Sequence, residues 1–469
     1  MIIQQIFTEK IAHSSYILAG DKTCAIIDPR RDIEIYLEMA RELGVKITHI
    51  LETHLHADFI SGHVDLAQRT GATIYAPFAA DYDFEYIALL EGDSFSIESI
   101  RLDILETPGH TPEHISYVVT DSSRGEEPIA LFCGDTIFVG DIGRPDIFPG
   151  RAEELASKLY DTLHEKLLKL PDFCEIYPAH GAGSLCGRAM AAKRSSTIGY
   201  EKKYNYALNI NERADFIKSL TNNMPDAPDH FNRCTNVNRK GPERVKELPA
   251  PKALNNIQFM EKMKDANILD VRIFESFGGQ HISQAYNIDS KANFPTYSGW
   301  LLPPEKDILI VSDNYSEVFD ACIQLQRVGL DKIAGYLENG MYGWVTDGLP
   351  TKHVPQISSP ELHSQINNGE MMTLLDVRTA SEYDKFHIKG AVNIPVHELK
   401  ERHTEINDDA ETILICGSGR RSSMGCSILL QNGFTEVQNA AGGMTGYAAA
   451  GFGHECPICV LPWAPFSNK

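Results

Sequence analysis

The chain has 469 residues, too many for one ordinary hydrophobic core, and this length suggests about three domains. Its hydrophobic content of 43% is typical of globular proteins, and no apolar run approaches the roughly 20 residues that span a bilayer. A net charge of −21 argues against nucleic acids and anionic membranes as partners. The ten cysteines form no dense framework and the N-terminus lacks the features of a signal peptide, which together predict a cytoplasmic enzyme with reduced thiols.

Residues 1–230 alternate between strand patterns and helix patterns. Apolar runs rich in β-branched residues predict strands that begin near Ile47, Thr73, Ile100, Ile115 and Ile129. Apolar residues at helical spacing predict helices at 32–43, 152–170 and 187–193. This alternation is typical of an α/β layered domain. Pro, Asn, Asp and Lys are frequent over 224–251, which predicts an extended segment. Because the first domain is assigned residues 1–230, the linker that follows it is assigned residues 231–251.

The rest of the chain contains an internal repeat. Leu269-Asp-Val-Arg272 recurs as Leu375-Asp-Val-Arg378, and at the same offset His281-Ile282 recurs as His387-Ile388. A constant offset of domain length indicates a duplication. We therefore predict two small parallel-sheet α/β domains, at 252–352 and 356–469.

One loop distinguishes the second copy from the first. The predicted strand at 412–415 leads into Cys416-Gly-Ser-Gly-Arg-Arg421 and then into a helix pattern. The same place in the first copy reads Val311-Ser-Asp-Asn-Tyr315 and has no cysteine. Cys416 is therefore the candidate nucleophile, and only the second copy has one.

The residues after this cysteine favour the reactive thiolate. Gly417, Ser418 and Gly419 form a loop whose backbone N–H groups can point at the sulfur. The start of the helix adds partial positive charge, and Arg420 and Arg421 add whole charges. Cysteine phosphatases usually have their arginine one position later, so this spacing favours sulfur transfer over phosphate chemistry.

Side chains that suit a metal follow several predicted strands of the first domain. The stretch Thr53-His-Leu-His-Ala-Asp-Phe59 and three later strand ends together supply His54, His56, Asp58, His110, Asp135 and His180. Imidazole and carboxylate groups are ligands of zinc and of non-haem iron. Their repeated position just past a strand predicts one metal site at the sheet ends.

The order of these pieces resembles the metal signature of the metallo-β-lactamase fold, which implies an αββα sandwich over 1–230. Dinuclear hydrolases of that fold have His where this chain has Phe59, so a single metal is implied. Among mononuclear members, the resemblance to persulfide dioxygenases implies one Fe(II) per chain, bound by His54, His110 and Asp135. By the same resemblance, the side chains of His56, Asp58 and His180 lie behind the ligands and orient them. Zinc is the alternative metal and could recruit His56.

Gly143-Arg-Pro-Asp146 resembles a further segment of these dioxygenases. The resemblance implies that Arg144 binds a carboxylate of the thiol carrier, as a guanidinium can. A surface salt bridge is the alternative role for Arg144.

The second half of the chain resembles tandem rhodanese domains, on the Asp-Val-Arg repeat, the cysteine loop and Gly442-Gly443. This implies that Cys416 carries a persulfide and that the 252–352 domain is catalytically silent. The silent domain would serve as a spacer or as part of a homo-oligomer interface.

Together the two halves resemble persulfide dioxygenase–rhodanese fusions, which implies a role in sulfide detoxification. The expected substrates are O2 and a low-molecular-weight persulfide of glutathione, coenzyme A, bacillithiol or cysteine, oxidised to sulfite. Cys416 would then transfer sulfur to sulfite to give thiosulfate. Cys186, Cys234 and the Cys456–Cys459 pair are candidates for sulfur relay.

Two other functions remain open from the sequence. One is a glyoxalase-type dinuclear zinc thioester hydrolase fused to a sulfurtransferase. The other is a persulfide carrier or sensor without enzymatic activity.

Overall fold

The computed structural model describes residues 1–188, 190–222, 228, 230–245, 250–408 and 410–452. It divides into two compact units. Unit 1 comprises Met1–Leu248 with Ile323–Asp331, and unit 2 comprises Pro249–Cys322 with Lys332–Lys469. Within the described ranges, no helix combines the length and the apolar content needed to cross a bilayer.

Two six-stranded sheets form the centre of unit 1. In chain order, the first contains β1 (Ile2–Thr8), β2 (His13–Ala19), β3 (Thr23–Ile27), β4 (Lys46–Leu51), β5 (Thr73–Pro77) and β6 (Ile87–Leu89). The second contains β7 (Ser94–Ile97), β8 (Ile100–Glu106), β9 (Ile115–Asp121), β10 (Ala130–Gly134), β11 (Glu175–Pro178) and β12 (Ser196–Thr197). The helices are α1 (Glu34–Leu43), α2 (His63–Thr70), α3 (Ala152–Asp161), α4 (Ile198–Tyr204), α5 (Arg213–Thr221) and α6 (His230–Lys240).

The sheets of unit 1 pack face to face. Leu18 and Ile27 of the first sheet share a buried cluster with Leu102, Val119 and Phe132 of the second. The outer face of each sheet packs on helices, in two further apolar clusters. Since both faces are covered, β2 and β10 are buried along their whole length, which accounts for the nearly continuous apolar sequence of β10. The predicted αββα sandwich is confirmed.

The candidate metal ligands follow strand ends. Strand β4 runs into the loop that holds His54, and β10 ends at Gly134, directly before Asp135. Gly134 has φ +48, and a Cβ there would stand 2.4 Å from His114 Nε2, so only glycine fits this turn. The tight turn aims the carboxylate of Asp135 into the space between the strand ends.

Two local predictions were wrong. The described residues of 187–193 form no helix, although their pattern predicts one. Helix α6 (His230–Lys240) lies in the segment that the composition predicts as an extended linker. Its Phe231, Cys234 and Asn238 are buried at helical spacing, and His230 is buried as well, so one face packs on unit 1 although most residues of the helix are polar.

The repeat in unit 2 folds twice into the same five-stranded parallel topology. The first copy contains β13 (Ala253–Leu254), β14 (Asn267–Asp270), β15 (Ala285–Asn287), β16 (Ile308–Val311) and β17 (Ile333–Leu337), with α7 (Asn256–Lys262), α8 (Phe274–Gly279), α9 (Phe294–Leu301), α10 (Tyr315–Arg327) and α11 (Gly340–Thr346). The second contains β18 (Gln356–Ile357), β19 (Thr373–Asp376), β20 (Val392–Asn393), β21 (Thr412–Ile415) and β22 (Val437–Ala440), with α12 (Ser359–Asn368), α13 (Ala380–Lys385), α14 (Leu399–Arg402), α15 (Arg420–Gln431) and α16 (Gly443–Ala449).

Asn238 of α6 fixes the loop that carries His54 and His56. Its amide nitrogen donates to the carbonyls of His56 at 2.9 Å and Phe59 at 2.8 Å, and its Oδ1 accepts from the Ser61 N–H at 2.8 Å. All of these groups are buried. Each buried backbone group left without its partner costs about 1–3 kcal/mol.

We therefore expect Asn238→Ala to lower the melting temperature of unit 1 and to speed metal loss to a chelator. Asn236→Ala, the same change at an exposed position of α6, is the matched control. Equal melting temperatures and equal rates of metal loss in the two variants would contradict this role for Asn238. Differential scanning calorimetry and chelator competition measure the two effects.

Candidate metal centre and cysteine loop

Three buried ligands converge in unit 1. Asp135 Oδ2 lies 3.3 Å from His110 Nε2 and 3.9 Å from His54 Nε2. The ligand atoms of the three residues all lie within 4.8 Å of one another. Ligands bound about 2.0–2.2 Å from one metal lie roughly 3–4 Å apart, so the donor set fits a single ion. Two imidazoles and one carboxylate form the ligand set of non-haem Fe(II) sites.

Each imidazole of this triad is oriented through its other nitrogen. His110 Nδ1 donates to the Arg144 carbonyl at 2.9 Å. His54 Nδ1 donates to Thr53 Oγ1 at 2.9 Å, and that hydroxyl donates to Asp28 Oδ2 at 2.9 Å. Both Nε2 atoms are thereby left unprotonated and directed at Asp135, as metal binding requires.

His180 holds Asp135 from the opposite side. Its Nδ1 donates to both carboxylate oxygens of Asp135, at 2.7 and 2.9 Å, and its Nε2 lies 2.8 Å from Asp58 Oδ2. Burial alone would lower the pKa of His180, but the charges of Asp135 and Asp58 outweigh it and hold this pKa well above its ordinary value. Both nitrogens of the imidazolium are thus engaged with carboxylates.

His56 turns away from the triad. Its Nε2 lies 3.2 Å from Asp28 Oδ1 and 3.6 Å from Glu52 Oε2. Phe59 packs on its ring, with the centroids 4.5 Å apart. His56 Nε2 is therefore directed at Asp28 and Glu52 and not at the triad. Phe59 has no donor atom that could bind a metal.

Arg144 forms a buried salt bridge with Asp146. Its side chain is only 1% exposed, and Nε and Nη2 each donate to the Asp146 carboxylate at 2.7 Å, while Nη1 donates to the Leu185 carbonyl at 3.1 Å. This pairing corresponds to the alternative role of Arg144 as a salt-bridge residue, although the bridge is buried. Binding of a thiol-carrier carboxylate by Arg144 stays a prediction. Its backbone carbonyl, which orients His110, is what reaches the site.

The described cysteines of unit 1 include one at the site. Cys186 Sγ lies within 4.8 Å of ligand atoms of Asp58 and His180. Burial raises the pKa of Cys186 to about 12, and the same cause raises the pKa of Cys234 in α6 to about 12, so both are protonated at neutral pH. The Cys456–Cys459 pair lies outside the described residues.

Cys416 lies at the end of β21, at the base of the predicted loop in unit 2. Its sulfur accepts from the Gly419 N–H at 3.1 Å and from Ser422 Oγ at 3.3 Å. Arg421 donates to both oxygens of Glu382, at 2.6 and 2.7 Å. Gly443 closes the loop from the other side, since a Cβ there would stand 2.3 Å from the Cys416 carbonyl oxygen.

The first copy has a carboxylate at the corresponding strand end. Strand β16 is followed by Ser312 and Asp313, and Asp313 Oδ1 accepts from the Met341 N–H at 2.9 Å. This loop offers no nucleophilic sulfur. The described part of the first copy contains one cysteine, Cys322, which is buried in α10.

Comparison with known proteins gives the same architecture. A model of the metallo-beta-lactamase superfamily matches residues 9–180, and a model of the rhodanese-like domain matches residues 255–347 and 358–450. Persulfide dioxygenase ETHE1, mitochondrial, from Mus musculus is 31% identical over 237 residues, which cover 48% of this chain and 83% of that protein. The chain belongs to the ETHE1 persulfide dioxygenase family. It is a fusion in which a metallo-β-lactamase-fold domain precedes two rhodanese-like domains.

Two further similarities bear on this fusion. The crystal structure of a metallo-beta-lactamase from Staphylococcus aureus subsp. aureus COL is 36% identical, with a TM-score of 0.66, and covers 72% of this chain and 98% of that chain. Hydroxyacylglutathione hydrolase from Rhodospirillum rubrum is 39% identical over 160 residues, which are 34% of this chain and 57% of the hydrolase. The chain thus covers little more than half of the hydrolase.

Sequence reasoning missed several residues that hold the metal site of the fusion. Asp28, directly after β3, carried a usable signal, because a strand-end carboxylate resembles the other candidate ligands. Thr53 stands within the histidine stretch, but nothing in its neighbourhood marks it as the link between His54 and Asp28. Asn238 gave no signal at all, since it lies in a polar segment far along the chain.

Mutation of Thr53 tests whether the hydrogen bonds from His54 through Thr53 to Asp28 orient the His54 imidazole for metal binding. We expect Thr53→Val to weaken metal binding about 10- to 100-fold, because His54 loses the partner of its Nδ1 and Asp28 Oδ2 loses a donor. Thr120→Val is the matched control, since Thr120 is buried and its hydroxyl finds no partner within the described residues. Metal affinity would be measured by competition with a coloured chelator. Unchanged affinity in Thr53→Val would remove Thr53 from the site.

Proposed function

We propose that the fusion is a sulfide-detoxifying enzyme whose N-terminal domain oxidises a low-molecular-weight persulfide. In the proposed reaction R–S–SH, O2 and water give R–SH, sulfite and two protons, so the outer sulfur is oxidised and O2 is reduced. The observation that carries the proposal is the buried triad of His54, His110 and Asp135, with the Nε2 atoms of both imidazoles directed at one carboxylate.

The residues around the triad suit one ion. Ferrous iron, one per chain, would be held by His54, His110 and Asp135 and would supply the activation of dioxygen that side chains lack. His180 and Asp58 fix the Asp135 carboxylate, and the ring of Phe59 packs on His56. Zinc is the alternative ion.

The second rhodanese-like domain carries the sulfur-transfer half of the proposal. The Cys416 thiolate attacks the outer sulfur of R–S–S⁻, the S–S bond of the donor breaks, and R–S⁻ leaves with a proton as the thiol. Sulfite then attacks the outer sulfur of the Cys416 persulfide, thiosulfate forms, and the Cys416 thiolate is restored. The Gly419 N–H and the Ser422 hydroxyl stabilise the anionic sulfur in both steps.

The carrier thiol of R is proposed only as a class: glutathione, coenzyme A, bacillithiol or cysteine. We propose the cytoplasm as the location, supported by the described cysteines, all eight of which are unpaired. A homo-oligomer is part of the same proposal.

Iron content and oxygen uptake test the first half together. On protein purified without oxygen, we expect about one iron per chain and oxygen uptake that depends on added glutathione persulfide. His110→Ala should lose both, because it removes a ligand, whereas His164→Ala, a histidine of the same unit outside the triad, should keep both. Elemental analysis and an oxygen electrode are the measurements.

Thioester hydrolysis is the second candidate function of the N-terminal domain. Similarity to a hydroxyacylglutathione hydrolase favours thioester hydrolysis as the second candidate function. Two zinc ions per chain without persulfide-dependent oxygen uptake would support it and reject the dioxygenase. Phe59, which has no donor atom at the position where dinuclear hydrolases of this fold have His, argues against a second ion.

Cys416→Ser tests the second half. We expect this variant to lose persulfide-to-sulfite sulfur transfer while its oxygen uptake stays intact, because the nucleophile is removed and the metal triad is not touched. Cys426→Ser, the same change at a buried position of α15, is the matched control. Thiosulfate would be measured by ion chromatography. Thiosulfate formation at the full rate in Cys416→Ser would refute the rhodanese role.

A further inference from the structure

The silent domain contacts the Cys416 loop within unit 2. Phe274 of α8 lies against Gly419, where an added Cβ would stand 3.0 Å from Cζ of the ring. Ser423, in the helix that follows the loop, donates to Asn287 Oδ1 of the silent domain at 2.7 Å. The copy without a cysteine therefore forms part of the wall around the copy that has one.

The two arginines of the loop are both paired with carboxylates. Arg421 is bound by Glu382 of its own domain through two hydrogen bonds. Arg420 Nε lies 3.0 Å from Asp289 Oδ2, and Asp289 belongs to the silent domain. Two positive charges at the loop are thus matched by two negative ones, one of which comes from the other copy.

Asp289 is built into the silent domain and is not a mobile surface group. Its carboxylate is 2% exposed, whereas Arg420 is 45% exposed. Its Oδ1 accepts from the Lys291 N–H at 2.9 Å, which fixes the side chain, and its Oδ2 finds no hydrogen-bond donor within the described residues. A buried carboxylate costs free energy unless a cation compensates it, and Arg420 is the cation at its open oxygen.

We propose that Asp289 is a specificity-determining residue of the Cys416 site. Its carboxylate neutralises the charge of Arg420. The loop therefore attracts doubly charged anions less strongly than two unpaired arginines would. The inference rests on the proposed sulfur transfer and names its preferred donor: a persulfide of net charge −1, such as cysteine persulfide, over the thiosulfate dianion. The donor's outer sulfur passes to the Cys416 thiolate as the donor S–S bond breaks, and R–S⁻ leaves and takes a proton from water.

A charge-sensitive probe tests the inference without relying on turnover. Iodoacetate and iodoacetamide alkylate the same thiolate, but only iodoacetate is an anion, so the ratio of their rates at Cys416 reports the local charge and not the thiolate fraction. In the full-length chain we expect Asp289→Asn to raise this ratio about three- to tenfold at low salt, and less at high salt. Peptide mass spectrometry assigns the reaction to Cys416.

Three further variants make the result specific. Glu405→Gln removes one negative charge at an exposed site of the domain that carries Cys416, where Glu405 pairs with Arg402. This change should leave the ratio unchanged. Arg420→Gln leaves Asp289 uncompensated and should lower the ratio below that of the natural chain. This variant also keeps the test decisive if Asp289→Asn does not fold. In Arg420→Gln/Asp289→Asn the ratio should return close to that of the natural chain.

Enzyme kinetics then separate specificity from mere packing. Asp289→Asn should lower KM for thiosulfate, in transfer to cyanide, by about three- to tenfold and change KM for cysteine persulfide, whose net charge is −1, less. Equal shifts of both KM values, or an alkylation ratio that matches Glu405→Gln, would overturn the inference and leave Asp289 a purely structural contact. Absence of Cys416-dependent transfer in the natural chain would instead reject the proposed function, and the alkylation ratio would still decide the charge at the loop.

Discussion

The structure of the metal centre depends on the buried carboxylate of Asp135. A fully buried anion is unstable unless positive charge and hydrogen bonds compensate it. His180 provides one compensating charge, and the pKa of Asp135 lies well below its ordinary value because His180, His110 and His54 outweigh the effect of burial. The two imidazole Nε2 atoms on the other side leave a place where a cation completes the compensation. The same arrangement explains why Gly134 has to be glycine, since the turn that buries Asp135 leaves no room for a Cβ.

This dependence explains how much of the site could be predicted from sequence. His54, His110, Asp135 and His180 each stand just past a strand, so the strand pattern brings them to one edge of the sandwich before any contact is known. The orienting contacts could not be predicted in this way. Asn238 acts from a helix whose apolar signal consists of only three residues, Phe231, Cys234 and Val237. For Arg144 the sequence left substrate binding and a salt bridge open, because a single sequence does not show that Asp146 accepts from Nε and Nη2 of its guanidinium.

The repeat in unit 2 was predictable for a physical reason that is unrelated to catalysis. In the first copy Arg272 binds Asp270 and the Gln280 carbonyl. In the second copy Arg378 binds Asp376 and the Phe386 carbonyl in the same way. The repeated Asp-Val-Arg is therefore a buried ion pair that fixes the end of a central strand. It persists in both copies because both need the fold.

The first copy in unit 2 combines the same fold as the second copy with a different strand-end loop. Its own strand-end loop presents Asp313 to the backbone of Met341 and forms no cradle for sulfur. Its strand β15 and the residues that follow it instead lie beside α15, where Asn287 contacts Ser423 and Asp289 contacts Arg420. Every one of these contacts requires the central sheet of the silent domain to be intact, because Asn287 ends a strand of that sheet. Although this copy has no cysteine in its loop, its fold is still needed for these contacts. Its Asp270–Arg272 ion pair holds the strand end to which Asn287 is bound, and it thereby supports the geometry of the Cys416 loop in the other copy.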